Sequence, residues 1–117
     1  MNPLFRQAEA RAEGHRDITV ATLKDNLSMA EMIDVREPHE FTGELGHIAG
    51  ARLVPLSTLE SAMARADRTR AVVLVCRSGA RSTRAAQQLR AMGFEQVMNL
   101  TGGMLAWGAA GYPVVRS

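Results

Sequence analysis

The run Ala71–Val75, Ala-Val-Val-Leu-Val, is apolar at every position and leads directly into the chain's single cysteine, Cys76. A strand that is apolar on both faces must be covered on both faces, as a central strand of a parallel sheet is. Arg77-Ser78-Gly79-Ala80-Arg81 then reads as a short loop, and Ser82 or Thr83 opens a helix that runs to Met92 and closes at Gly93. Strand, tight loop and helix in this order constrain the rest of the chain to supply further parallel strands and covering helices.

The remaining sequence can do so. Short strands are expected at Ile18–Val20, Met32–Val35, Arg52–Val54 and Gln96–Leu100. Helical segments are expected at Thr22–Leu27, capped by Thr22, and at Glu37–Phe41, with Pro38 in its first turn. Another should run from Ser57 to about Ala66, with Glu60 completing a capping box, and a last one from Gly103 to Ala110. The fold class is therefore α/β: an open parallel sheet of about five strands with helices on both faces. Residues 1–16 read as an N-terminal extension, either helical from Phe5 to Arg16 or frayed, ahead of one domain over 17–117.

Ligands of open parallel sheets bind beyond the carboxyl ends of the strands, where Cys76 lies. Backbone N–H groups of the loop and the first helical turn have no intrahelical acceptors and are expected to face the sulfur, with Arg77 and Arg81 adding positive charge. Such surroundings favour the thiolate, which is the nucleophile, and would also hold a small anion. Ser78 can donate a hydroxyl, Gly79 supplies positive φ, Ala80 leaves the amides accessible, and Ser82 completes the binding segment. Asp34 and Arg36 end a neighbouring strand at the same sheet edge, as a structural ion pair or as support for the loop. His39 and His47 lack the spacing of a zinc site, so no metal is expected, and His47 is expected to fix its own turn. Trp107 reads as core, and Met104 as a residue that could face the pocket.

Cys76 to Arg81 is a C-x4-R loop, one residue tighter than the C-x5-R phosphate cradle of protein tyrosine phosphatases, and Val75 stands where those enzymes usually have histidine. The tighter ring suits a single sulfur atom carried on Cys76. It resembles the active-site loop of the rhodanese family of sulfurtransferases. Ile33-Asp34-Val35-Arg36-Glu37-Pro38-His39-Glu40-Phe41 followed by residues 46–55 resembles that family's first signature, and residues 93–107 its closing segment. The similarity covers roughly residues 18 to 115.

This resemblance implies a rhodanese-like fold and a sulfurtransferase that moves sulfane sulfur from thiosulfate, or a similar donor, through a persulfide on Cys76 to cyanide or a thiol. No cofactor is implied. The alternatives are a persulfide carrier loaded by a protein partner such as a cysteine desulfurase, a phosphatase or arsenate reductase, and a non-enzymatic module of the same fold. The implied partners are a small sulfur-containing anion, a thiol acceptor and a protein sulfur donor or acceptor. The chain would act as a monomer or homodimer.

Composition narrows the remaining classes. Lys and Arg total 14, all arginine but Lys24, against 12 acidic residues, giving a net charge of +2. With aromatics at 4%, this is no basic, aromatic-studded nucleic-acid surface. No apolar run approaches a membrane span, the charged N-terminal stretch is unlike a signal peptide, and one thiol fits a reducing compartment, so a cytoplasmic location is expected.

Overall fold

The structure, a computed structural model, describes every residue from 1 to 117. Its centre is β5 (Ala71–Val75), buried at all five positions as its composition demands. β6 (Gln96–Leu100) pairs with one edge of it and β3 (Glu31–Asp34) with the other, both parallel. β4 (Arg52–Leu53) extends the sheet beyond β3, and β2 (Arg16–Ile18) extends it beyond β6, again in parallel. The sixth strand, β1 (Glu9–Ala10), pairs antiparallel with β2, completing the order β1-β2-β6-β5-β3-β4. The sheet thus has one strand more than expected, and it comes from the N-terminal segment.

Alternation along β5 divides the core between two faces. Val73 and Val75 face a cluster shared with Leu4 and Phe5 of α1 (Pro3–Gln7), Leu23 of α2 (Val20–Lys24), and Met104 and Trp107 of α6 (Gly103–Ala109). Val72, Leu74 and Cys76 face the other way, toward Leu59 and Met63 of α4 (Leu59–Met63) and Ala85, Ala86 and Leu89 of α5 (Ala80–Ala91). Each large aliphatic side chain so buried contributes about 1.5–3 kcal/mol. Because the alternation continues through Cys76, the thiol lies on the α5 side of the sheet. α3 (Pro38–Phe41) is a single turn following β3.

Several local expectations are corrected. The cap of α2 is Thr19, whose hydroxyl accepts the Thr22 N–H at 3.1 Å, because the strand before it ends at Ile18. Ser57 lies in a 3-10 turn over Leu56–Thr58 and makes no capping box with Glu60. The helix after it ends at Met63, where Arg68 takes the carbonyls of Met63, Ala64 and Ala66 at 2.9–3.0 Å. α5 starts at Ala80, ahead of the expected Ser82, because Gly79 (φ 111°) turns the chain and its carbonyl already accepts the Thr83 N–H and hydroxyl. No long helix forms over residues 5–16. Asn2 caps the short α1, Gly14 (φ 98°) reverses the chain, and β1 pairs with β2. No helix is long and apolar enough to cross a membrane.

Candidate active site

Cys76 follows the last residue of β5 and is 1% exposed. Its Sγ receives the Gly79 N–H at 3.1 Å and lies 3.3 Å from the Ser82 hydroxyl. Burial alone pushes the thiol up. The Ser82 hydroxyl and the backbone N–H groups of Ser82, Gly79 and Ser78 outweigh that, and the thiol is held below its ordinary value. The amides can converge because Gly79 adopts the left-handed conformation at the start of α5.

The loop is also clamped from behind. Met104 and Leu105 at the start of α6 donate their N–H groups to the carbonyls of Cys76 and Arg77 at 2.9 and 3.0 Å. Gly103 (φ 53°) permits this approach, since a Cβ there would collide with the Cys76 carbonyl and lie 2.7 Å from that of Arg77. Met104 is wholly buried beneath the loop rather than facing a pocket. Trp107 is core as expected, edge-on to Tyr112, with its N–H donated to the Pro113 carbonyl at 3.0 Å.

At the end of β3, Asp34 and Arg36 form a bidentate ion pair at 2.7 and 2.9 Å, both side chains almost fully buried. The Arg36 guanidinium also donates to the carbonyls of Gly46 and Glu40 at 2.7 and 3.2 Å, tying β3 to the turn around α3. Glu40 then reaches the loop itself and binds Arg81 bidentately at 2.6 and 2.8 Å. The Arg81 hydrogen bond draws the Glu40 carboxyl down to about 2 against the cost of burial, with further help from the Glu37 N–H and the charges of Arg81 and Arg36. Arg81 therefore braces the loop against α3. Arg77 is exposed and borders a cleft of about 370 Å³ with Arg36, His39, Glu40, Gly43, Glu44, Leu45 and Leu105. Ser78 and Ala80 are exposed at the loop tip, and Ser78 acts on the thiol through its N–H. His47 donates its Nδ1–H to the Phe41 carbonyl at 2.8 Å and stacks on the Phe41 ring, so it fixes its own turn. A larger groove of about 560 Å³, lined by Leu27–Met32, Arg70 and Ala71, lies at the opposite ends of the strands from Cys76.

Two residues of this region were not singled out from sequence. Glu40 carried a usable signal, standing in the same turn as Pro38 and four residues after Arg36. Asn99 was an isolated amide in the apolar strand Val97-Met98-Asn99-Leu100; it is 5% exposed and accepts the Ser82 hydroxyl at 2.5 Å. A thiol with lowered pKa at the carboxyl end of the central strand, ringed by amides and bordered by arginine, is equipped for nucleophilic attack on a small anion.

The sequence profile of the Rhodanese-like domain matches residues 19–110. An uncharacterized protein of Synechocystis, slr1261, is 45% identical over 86 residues, which are 74% of this chain; the chain spans 47% of that relative's length. The thiosulfate sulfurtransferase GlpE of Vibrio cholerae is 31% identical over 103 residues, covering 88% of this chain and 95% of its own. Among solved structures, a rhodanese-related protein of Thermoplasma volcanium superposes with a TM-score of 0.80 at 32% identity, over 88% of this chain and all of its own.

Proposed function

This chain belongs to the rhodanese-like family, and from that premise we propose that it is a thiosulfate-type sulfurtransferase working through a persulfide on Cys76. The observation that carries the reading is the amide-ringed, deeply buried Sγ of Cys76 inside a loop whose second arginine, Arg81, is turned away onto Glu40. A ring of this kind has donors for one sulfur atom, whereas a phosphate cradle needs its arginine over the anion. GlpE, similar to this chain over nearly its whole length, supports thiosulfate as the donor.

In the first step the Cys76 thiolate attacks the sulfane sulfur of thiosulfate. The new S–S bond forms as the bond to the sulfite sulfur breaks, and sulfite leaves with that electron pair, passing Arg77 at the cleft. The terminal sulfur of the persulfide takes the place of the thiolate before the loop amides of Ser78, Gly79 and Ser82. In the second step a thiophile such as cyanide attacks the outer sulfur, and Cys76 leaves as thiolate. Asp34, Arg36, Glu40 and Arg81 hold the loop in shape throughout. Only the outermost atom of a donor need reach the buried Sγ, so the sulfite group would stay outside the ring of amides, where Arg77 is exposed.

Intact mass spectrometry tests the proposal. Thiosulfate should add one sulfur atom to the wild type and none to Cys76→Ser, and cyanide should remove it as thiocyanate. No uptake from thiosulfate, with uptake from a cysteine desulfurase and cysteine, would replace the enzyme with a persulfide carrier. No uptake from either would overturn both.

A further inference from the structure

Behind Cys76, on the α5 side of the sheet, runs a chain of polar groups that the proposed chemistry does not use. Cys76 Sγ lies 3.3 Å from Ser82 Oγ, Ser82 Oγ donates to Asn99 Oδ1 at 2.5 Å, and Asn99 Nδ2 donates to Asp17 Oδ1 at 3.2 Å. Cys76, Ser82 and Asn99 are at most 5% exposed, so losing a hydrogen-bond partner there is costly. The direction of the chain is set at its far end. Asp17 is an acceptor, so the Asn99 NH2 must face it and the Asn99 oxygen must face Ser82.

Ser82 has one proton and three acceptors around it: Asn99 Oδ1, the Gly79 carbonyl at 3.2 Å, and the sulfur. While Cys76 is a thiol all directions agree, because S–H can donate to Ser82, Ser82 to Asn99 and Asn99 to Asp17. When Cys76 ionises they conflict. Turning the hydroxyl to the thiolate strips a buried amide oxygen of its donor, and flipping the amide would aim that oxygen at the Asp17 carboxylate.

We infer that Asn99 and Asp17 are positioning residues for Cys76: Asp17 orients the Asn99 amide, Asn99 claims the Ser82 proton, and the pair thereby sets how readily Cys76 becomes a thiolate. The Ser82 hydroxyl can draw the thiol down only when its proton turns to the sulfur, so the destination of that proton matters. This inference rests on Cys76 being the working thiol of the proposed function.

Other charged groups face both ends. Arg11 binds Asp17 at 2.6 Å, His15 Nε2 lies 3.7 Å from it, and Glu9 stands beyond Arg11. Around the loop are Arg77 and the pairs Arg81–Glu40 and Arg36–Asp34. All of these are retained when a variant is compared with its counterpart lacking Ser82. The comparison therefore removes the through-space field, including the charge lost in Asp17→Asn.

The experiment titrates the thiolate by its ultraviolet absorbance, and by its rate of alkylation with iodoacetamide, in the full-length protein. Wild type is compared with Ser82→Ala, Asn99→Ala, Asp17→Asn and the two doubles that include Ser82→Ala. Asn99→Ala and Asp17→Asn should each lower the midpoint and give about tenfold more thiolate at neutral pH, the equivalent of about one buried hydrogen bond. In the Ser82→Ala background the effect of Asn99→Ala should vanish and that of Asp17→Asn shrink. Should Asn99→Ala fail to fold, the isosteric Asp17→Asn decides. Midpoints that stay put, rise, or fall equally with and without Ser82 would overturn the inference. Alkylation requires no sulfur transfer, so a failed mass-shift experiment beside a successful titration would sink the proposed activity alone.

Discussion

On the β3 side of the Cys76 loop the support is ionic, whereas on the β6 side it is a chain of neutral hydrogen bonds ending on one carboxylate. Asp34, Arg36, Glu40 and Arg81 form two ion pairs, two carboxylates against two guanidinium groups, and Arg36 gives further donors to the carbonyls of Glu40 and Gly46. Ser82, Asn99 and Asp17 carry few donors, and a single proton decides how they pair. The ionic cluster fixes where the loop lies, since moving it would separate charges. The hydrogen-bonded chain leaves the backbone where it is and acts on the protonation of the sulfur. One loop is thus held in shape by one cluster and tuned by the other.

The largest effect should come from breaking the buried ion pair. Arg36→Met takes the guanidinium from Asp34 and leaves that buried carboxyl only the backbone N–H of residue 36, and it is expected to cost about 3–5 kcal/mol in urea denaturation. Asp34→Leu combined with Arg36→Met should regain most of that stability. It should not regain sulfur uptake, because the tie from β3 to the α3 turn is gone. On the other side, Ser82→Ala strands the Asn99 oxygen and should cost about 1–3 kcal/mol. If the two losses proved equal, the contrast between the sides would fail.

The smallest stability effect belongs to Glu40→Gln, about 1 kcal/mol or less, because this pair is partly open to solvent. It is the sharpest in pH. The Glu40 carboxyl lies at about 2 in the folded chain, below its ordinary 4.5, so its contribution is fully present above that ordinary value. It is lost as the pH falls from about 4.5 toward about 2, and the stability curves of wild type and Glu40→Gln should converge at the acid end of that window. Curves that stay parallel through it would deny the pair any part in holding the loop.

The central strand, the loop, the helix after it and the parallel sheet were legible because each is written locally. Ala71–Val75 can only be buried on both sides, and Gly79 can only turn the chain where it does. The helix starts at Thr22 and Ser57 were misread for the complementary reason. Either hydroxyl could cap a helix, and the choice fell to where the preceding strand or turn happened to end. The sixth strand was likewise hidden, since two exposed residues, Glu9 and Ala10, become a strand only when β2 lies alongside them.

The sequence by itself determined the length of the Cys76 loop and the end of the sheet where that thiol stands, and it singled out Cys76 as the candidate nucleophile. These depend on neighbours within a few residues of Cys76. Only the tertiary structure decided what each supporting side chain does. From sequence Arg81 could hold an anion or brace the loop, and a carboxylate 41 positions away claims its guanidinium for the second role. Ser82 gives its proton to an amide 17 positions on, which is oriented in turn by a carboxylate 82 positions back. Charges and hydrogen bonds act over a few ångströms of space, and the fold sets which residues those ångströms join.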